Sequence, residues 1–356
     1  YDQKCMTNDK IKIFFWGHDY FGGQFLERLI NDHSHHFEIA AVATNLHPSK
    51  EAFQKKIKKS KILIKKKLLL SEFLEKVFFS SIVNKKFLKN PPPVYQDITV
   101  RELAFRYNIP AVDASIIYSG DLDIINSFDY DFIIIASFGK IPEDVYTKTK
   151  STVINFHPSM LPQLKGGSPV YSAIMKQFEC TGFTYHLLSQ KFDSGPILYQ
   201  EAVTISQQHT CILLEKEIIR KGANSLHFLL TGIKKGFIVP ISTDKFSVAS
   251  YCFRTYECSA FLQPKHSTSD QLLRQIKACS SWAFGNAYIR QGYRHFYISK
   301  ASSTQSNISS KKDIQYIEGN GLLLRTSNGS VAVSEIYYKQ EYYAGKDLMK
   351  LKGVLF

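Results

Sequence analysis

Apolar and polar positions along the first two thirds of the chain alternate between strand and helix spacing. Residues 11–17 (IKIFFWG) form a short apolar run closed by glycine, as buried strands do. Residues 19–30 follow with Phe21, Phe25, Leu26, Leu29 and Ile30 at helical spacing, and 37–45 (FEIAAVATN) read as a strand again. A β-α-β opening predicts a parallel α/β sheet. The rhythm resumes with a helix over 100–108, a short strand at 110–114, a helix over 120–128 and the strongest strand at 129–139 (DYDFIIIASFG). A helical turn at 141–148, a strand at 152–156 and a helix over 169–177 come next. Residues 181–189 alternate as an edge or antiparallel strand would, 196–205 give another strand, and 211–233 form a long amphipathic helix that closes the first domain.

From about residue 240 the pattern changes. Short β-like runs at 294–302, 314–328 and 330–339 are punctuated by Asn320-Gly321 and Asn328-Gly329, and 269–280 is the one clear helix. The expectation is a Rossmann-like, mostly parallel α/β domain over 1–240, then a small C-terminal β-barrel (OB-like) domain over 250–356. One segment breaks the α/β rhythm: 46–93 is crowded with lysine, contains no arginine up to residue 90 and ends in three prolines, which is long for a strand-to-helix connection.

Composition sharpens this picture in three places. Lys and Arg number 45 against 31 Asp and Glu, a net charge of +14, which favours a polyanionic partner over AT-rich codon bias alone. No apolar run approaches the ~18 residues of a membrane helix, so no membrane partner is expected. The six cysteines, at 5, 180, 211, 252, 258 and 279, form no CxxC pair and no metal-like spacing with histidine; reduced thiols and no metal are expected. YDQKCMTNDK at the start is neither a signal peptide nor an Arg-rich transit helix, and a cleaved targeting segment upstream is compatible with it.

The candidate chemistry lies at 153–169 (VINFHPSMLPQLKGGSP). Ligands of open α/β sheets bind at the carboxyl ends of strands. Asn155 and His157 occupy such an end, two residues apart, and so point the same way on an extended chain that Pro158 helps to keep extended. Asp193, in a Phe-Asp-Ser-Gly turn, can reach the same mouth. An amide, an imidazole and a carboxylate suit acyl transfer to an amine: one stabilises an oxyanion, the others polarise it or move a proton. The bland alternatives are a structural histidine and an Asx turn. Gly17-His-Asp-Tyr-Phe-Gly22-Gly23 is not G-x-G-x-x-G, and the second strand ends in Thr44-Asn45 rather than an acid, which argues against NAD.

Four blocks in order carry a resemblance. Asn155-Phe-His157-Pro-Ser159-Met-Leu-Pro162, Gly166-Gly-Ser-Pro169, Thr181-Gly182-Phe-Thr184 and Asp193-Ser-Gly195-Pro-Ile-Leu198 resemble the formyltransferase family pattern N-x-H-P-S-L-L-P … G-x-x-P … T-G-V-T … D-x-G-x-I-L. The added C-terminal region resembles enzymes of the methionyl-tRNA formyltransferase type, in a eukaryotic mitochondrial version. The resemblance implies transfer of formyl from 10-formyltetrahydrofolate to initiator Met-tRNA, in support of translation initiation. It makes Asn155, His157 and Asp193 the catalytic trio. It places Ser159, Met160, Leu161 and Pro162, together with Ser137, Phe138 and Gly139, against the folate. In the insertion, Lys55, Lys56, Lys58, Lys59, Lys65, Lys66 and Lys67 become phosphate contacts to tRNA; lysine is a point charge and a poor base reader. The chain departs from the family's Pro-Arg-Trp/Tyr-Arg-Gly at Pro162-Gln163-Leu164-Lys165-Gly166, where Gln163 lacks a cation. Other readings are a sugar-nucleotide N-formyltransferase and a catalytically silent RNA-binding relative. A monomer in the mitochondrial matrix is expected, with a bacterial cytoplasm as the alternative.

Overall fold

A computed structural model describes residues 10–46 and 98–355, apart from 244, 245, 247, 256, 281–285, 293, 307, 309–312, 320 and 340. The lysine-rich insertion, with Lys55, Lys56, Lys58, Lys59, Lys65, Lys66 and Lys67, lies outside the described residues but for Leu46.

The strands β1 (Ile11–Gly17), β2 (Phe37–Thr44), β3 (Ala111–Asp113), β4 (Phe132–Ala136) and β5 (Thr152–His157) run parallel. A two-residue strand, β6 (Lys165–Gly166), stands apart, and β7 (Cys180–Leu187) and β8 (Ile197–Thr204) extend the sheet antiparallel. The strand order is β3-β2-β1-β4-β5-β7-β8. β7 is therefore an interior strand, which is why Thr181 to His186 are all buried; the edge falls to β8.

Helices cover both faces, as a parallel sheet requires. Successive strand residues point to opposite sides. Ile13 and Phe15 pack with Phe25, Leu26 and Leu29 of α1 (Asp19–Asn31), with Leu103 of α2 (Val100–Arg106) and with α7 described below. Phe14 and Trp16 face Ile117 of α3 (Ser115–Ser119), Ile125 of α4 (Leu122–Ser127) and Val145 of α5 (Glu143–Lys148). Each fully buried side chain of this size contributes roughly 1.5–3 kcal/mol. α6 (Pro169–Met175) follows the loop after β6, and α7 (Cys211–Lys234) lies along the first face. Thr99 and Thr210 cap α2 and α7 by accepting from Glu102 N and Leu213 N.

The chain then returns as β9 (Tyr251–Cys252), which pairs with β6. α8 (Ser269–Cys279) opens the C-terminal region, its start closed by a Thr268–Gln271 capping box. An antiparallel six-stranded sheet follows, with path β10 (Tyr288–Gln291), β11 (Arg294–Ser303), β14 (Gly329–Tyr338), β13 (Gly321–Thr326), β12 (Ile314–Ile317), and β15 (Glu341–Ala344) on β14. Its own core gathers Leu272 and Ile276 of α8, Phe296, Leu322, Val333 and Ile336, with Leu348 and Leu351 from the 3-10 turns at Gly345–Leu351. Tyr171 of α6 packs against both cores, and α8 lends Ala278 to the first. Among the described residues no helix is long and apolar enough to cross a membrane.

Candidate active site

β5 ends between β4 and β7, and that position builds the site. Its antiparallel register with β7 sets Asn155 opposite His186 and His157 opposite Thr184. His186 Nδ1 donates to the Leu187 carbonyl at 2.8 Å. Its Nε2 is thereby a bare acceptor, and Asn155 Nδ2 donates to it at 2.9 Å. Burial pushes the His186 imidazole down to about 4, so it stays neutral. One amide hydrogen of Asn155 is committed to this bond and the other is available.

His157 is buried at the end of β5. Its Nε2 donates to the Leu164 carbonyl at 3.1 Å, which turns Nδ1 towards Asp193 Oδ2 at 3.6 Å. Asp193 sits in a left-handed turn conformation (φ +48°), which Asp tolerates better than most residues. Its Oδ2 accepts from the Gly166 N–H at 2.8 Å, and its Oδ1 lies 3.8 Å from His186 Nε2. The structure thus brings Asn155, His157 and Asp193 together and adds His186, hydrogen-bonded to Asn155 and close to Asp193.

The loop from 159 to 166 is held from several sides. The Ser159 hydroxyl donates to the Gln163 carbonyl at 2.7 Å, and the Ser159 carbonyl accepts from Thr184 Oγ1 at 2.7 Å. Leu161 N donates to Thr184 Oγ1 at 3.0 Å, the Leu161 carbonyl accepts from Gln200 Nε2 at 2.7 Å, and the Leu161–Pro162 bond is cis. The segment around β9 holds the loop's far end. Leu164 N donates to Ser250 Oγ at 2.9 Å, Lys165 N to the Ser250 carbonyl at 2.9 Å, and Cys252 Sγ to the Leu164 carbonyl at 3.3 Å. The same carbonyl therefore serves His157 and Cys252. The buried Lys165 ammonium donates to Ser194 Oγ at 2.8 Å, next to Asp193.

A narrow cleft opens beside the trio, with Ile135, Phe138, Ile141, Leu188 and Phe192 as apolar walls and Asn155, His186 and Asp193 as its polar edge. Of the residues expected against a folate, Phe138 and Gly139 line this cleft. Phe138 is packed on its other side by His18, ring centroids 4.2 Å apart, and by Tyr118. Ser137 is an exposed left-handed corner (φ +57°) whose carbonyl accepts from His18 N. Ser159, Leu161 and Pro162 are buried and Met160 half-buried, and none of the four lines the cleft; the Ser159 hydroxyl is spent inside the loop. Apolar walls ending in an amide and a carboxylate suit an apolar group that carries a polar reacting atom to that edge. Among the described residues no group of three or more His, Cys, Asp or Glu could hold a metal ion.

Comparison with known proteins adds a family match. Residues 119–227 match the formyl transferase family model. A Staphylococcus aureus (strain JH1) protein named methionyl-tRNA formyltransferase is 29% identical over 204 residues, 56% of this chain and 62% of its own length. One of the same name from Fusobacterium nucleatum is 26% identical over 216 residues, 60% of this chain and 69% of its own length. The chain thus spans somewhat under two thirds of the first of these relatives. Among solved structures, a HypX variant from Aquifex aeolicus superposes with a TM-score of 0.58 at 12% identity, covering 97% of this chain and 48% of that one. An N-formyltransferase from Helicobacter canadensis, solved with folinic acid and dTDP-3-aminofucose, gives 0.56 at 16% identity, covering 92% of this chain and all of that one. At these identities the structural likeness shows the fold.

Proposed function

Since residues 119–227 match the formyl transferase family model, we propose that this chain moves the formyl group of 10-formyltetrahydrofolate to a primary amine, the α-amino group of initiator methionyl-tRNA. The observation that carries the reaction is the Asn155–His186 hydrogen bond beside Asp193 at the end of β5, next to an apolar cleft. The tRNA acceptor is supported by the names of the curated relatives and by the net charge of +14.

The amine attacks the formyl carbon, a carbon–nitrogen bond forms, and the carbonyl oxygen takes up the electron pair. The second amide hydrogen of Asn155 meets that oxyanion, an interaction worth roughly 10²–10³ in rate. Asp193 takes the proton the attacking nitrogen sheds, directly or through His157 Nδ1, and the proton passes to the folate nitrogen as its bond to carbon breaks. The α-amine of an amino acid titrates at about 7.7–8.0, and esterification lowers this, so much of it is already neutral. Phe138, Ile141 and Phe192 give the cleft its apolar lining. The same reading makes 1–240 the catalytic domain and 250–356 the tRNA-binding one, in a compartment whose translation starts with formylmethionine, a mitochondrial matrix ahead of a bacterial cytoplasm.

The test is transfer of labelled formyl to charged initiator Met-tRNA by wild type and Asn155→Ala, with an amino-sugar nucleotide offered in parallel. Formyl-Met-tRNA from wild type, falling at least ~10²-fold in the variant, is the expected result. Formylation of the sugar alone would replace the acceptor, and an unimpaired variant would remove Asn155 from the chemistry.

A further inference from the structure

Three lysines and four histidines converge at the end of the large sheet opposite to the Asn155–Asp193 site. The meeting point is where the first residue of β1 and the loop before β2 reach the C-terminal end of α7. Gly17 ends β1 level with Ala136 and, through it, Phe156, while Ile11 lies six residues back, roughly 20 Å along the strand. A cavity of about 200 Å³ opens there, lined by Lys10, His35, His36, His227, Thr231 and Lys235 among others.

The rings inside it touch by their faces and edges, and one pair is stacked. His36 and His227 lie face to face with centroids 3.7 Å apart and planes 14° apart, and His35 sits 3.9 Å from His36. His33 is turned to Asn224 Oδ1 at 3.2 Å, and His227 Nε2 lies 3.4 Å from Thr231 Oγ1. Lys234 is neutralised by Asp131 Oδ1 at 2.8 Å. Among the described residues Lys10 and Lys235 have no acidic partner, and the ring nitrogens of His35 and His36 have no hydrogen-bond partner.

The negative end of the α7 dipole accounts for Lys234 and Lys235. It does not account for Lys10 or for His35 and His36, which arrive from separate elements and crowd cationic or protonatable groups together. Burial and the neighbouring imidazoles hold His36 and His227 below the usual histidine range, the cost of that crowding. The cavity offers donors from three directions and an excess of positive charge. A metal ion would be repelled by the lysines. A tetrahedral oxyanion would accept from several donors at once and let the imidazoles share a proton with it.

We propose that this cavity binds a phosphate group, presented as free phosphate or as a phosphodiester of RNA. The test is an NMR titration of the histidine ring protons with inorganic phosphate at about pH 6.5, using the whole chain, beside the Lys10→Ala/Lys235→Ala double variant. Both lysines are exposed, so their removal spares the fold. The expected result is saturable movement of the His35, His36 and His227 resonances in wild type, with affinity at least ~10-fold weaker in the double variant. Absence of saturable movement, or equal affinity in the two proteins, overturns the site. A tRNA transcript added to the same samples separates the sources. If the phosphodiester is the ligand, the same resonances move with RNA and phosphate competes. If free phosphate is the ligand, RNA leaves them in place. Because the readout is local to these rings, it is independent of whether Met-tRNA is the acceptor.

Discussion

Asn155 owes its orientation to a residue across the sheet, not along the chain. His186 can accept from it only while neutral, and burial keeps it so down to about pH 4. An unfolded histidine takes up its proton near 6.5. Between these values the unfolded chain binds the extra proton, so stability is present above 6.5 and is lost as pH falls towards 4. At about 1.4 kcal/mol per pH unit the interval weighs roughly 3 kcal/mol. Urea midpoints of wild type should fall across that window, and those of His186→Leu should fall less; parallel curves would exclude His186 as the cause. The same variant leaves the Asn155 amide without its acceptor, and kcat should drop by about 10-fold with little change in KM for folate, an effect read by steady-state kinetics. Asn155, His157 and Asp193 were legible because they recur at strand-end and turn positions with a family spacing. His186 was visible only as a lone imidazole in the apolar run TGFTYHLL. Its meaning depends on the register with β5, which no local pattern encodes.

At the scale of elements, local apolar pattern carried most of the α/β sheet. FIIIA in β4 is buried throughout, and the long amphipathic run became α7. The five-residue α3 was not foreseen, being too short to show a period. The β6–β9 pair, two residues on each side and 86 apart in sequence, has no local signature at all. Gly166 is where that pair demands glycine. Its φ is +118°, and a Cβ there would stand 2.1 Å from the Cys252 carbonyl oxygen. Gly166→Ala should therefore cost about 1–3 kcal/mol in backbone strain alone. It should also pull the Gly166 N–H off Asp193, so thermal melting and formyl transfer should decline together. On α7, Glu215 Oε2 is enclosed without a partner, and burial pushes this carboxyl up to about 8. An unfolded glutamate ionises near 4.3, so here stability is full at low pH and is lost as pH rises towards 8. Glu215→Gln should have the higher urea midpoint at pH 8 and lose that advantage at pH 4; an equal midpoint at pH 8 would place the charge in water.

At the scale of the whole molecule, two cores meet through Tyr171 and Ala278, and the charge excess falls in the sequence on 46–93 and on the residues after 240. If RNA is the acceptor's carrier, affinity for tRNA should fall linearly on a log–log salt plot, by about 0.7–0.9 per phosphate contact, as measured by filter binding. A flat plot would remove the polyanion reading. The lysines of 46–93 expected to meet tRNA lie outside the described residues.

The β6–β9 pairing also decides where this chain can be divided. A cut at 240, where the pattern of the sequence changes, would keep every strand of the large sheet. It would discard Ser250, which bonds to Leu164 and Lys165, and Cys252, whose thiol shares the Leu164 carbonyl with His157. The half that holds the large sheet is thus not a portable part with its border at the last helix. Its border runs past residue 252, and the first residues that look like a linker hold Leu164 and Lys165 in place behind His157.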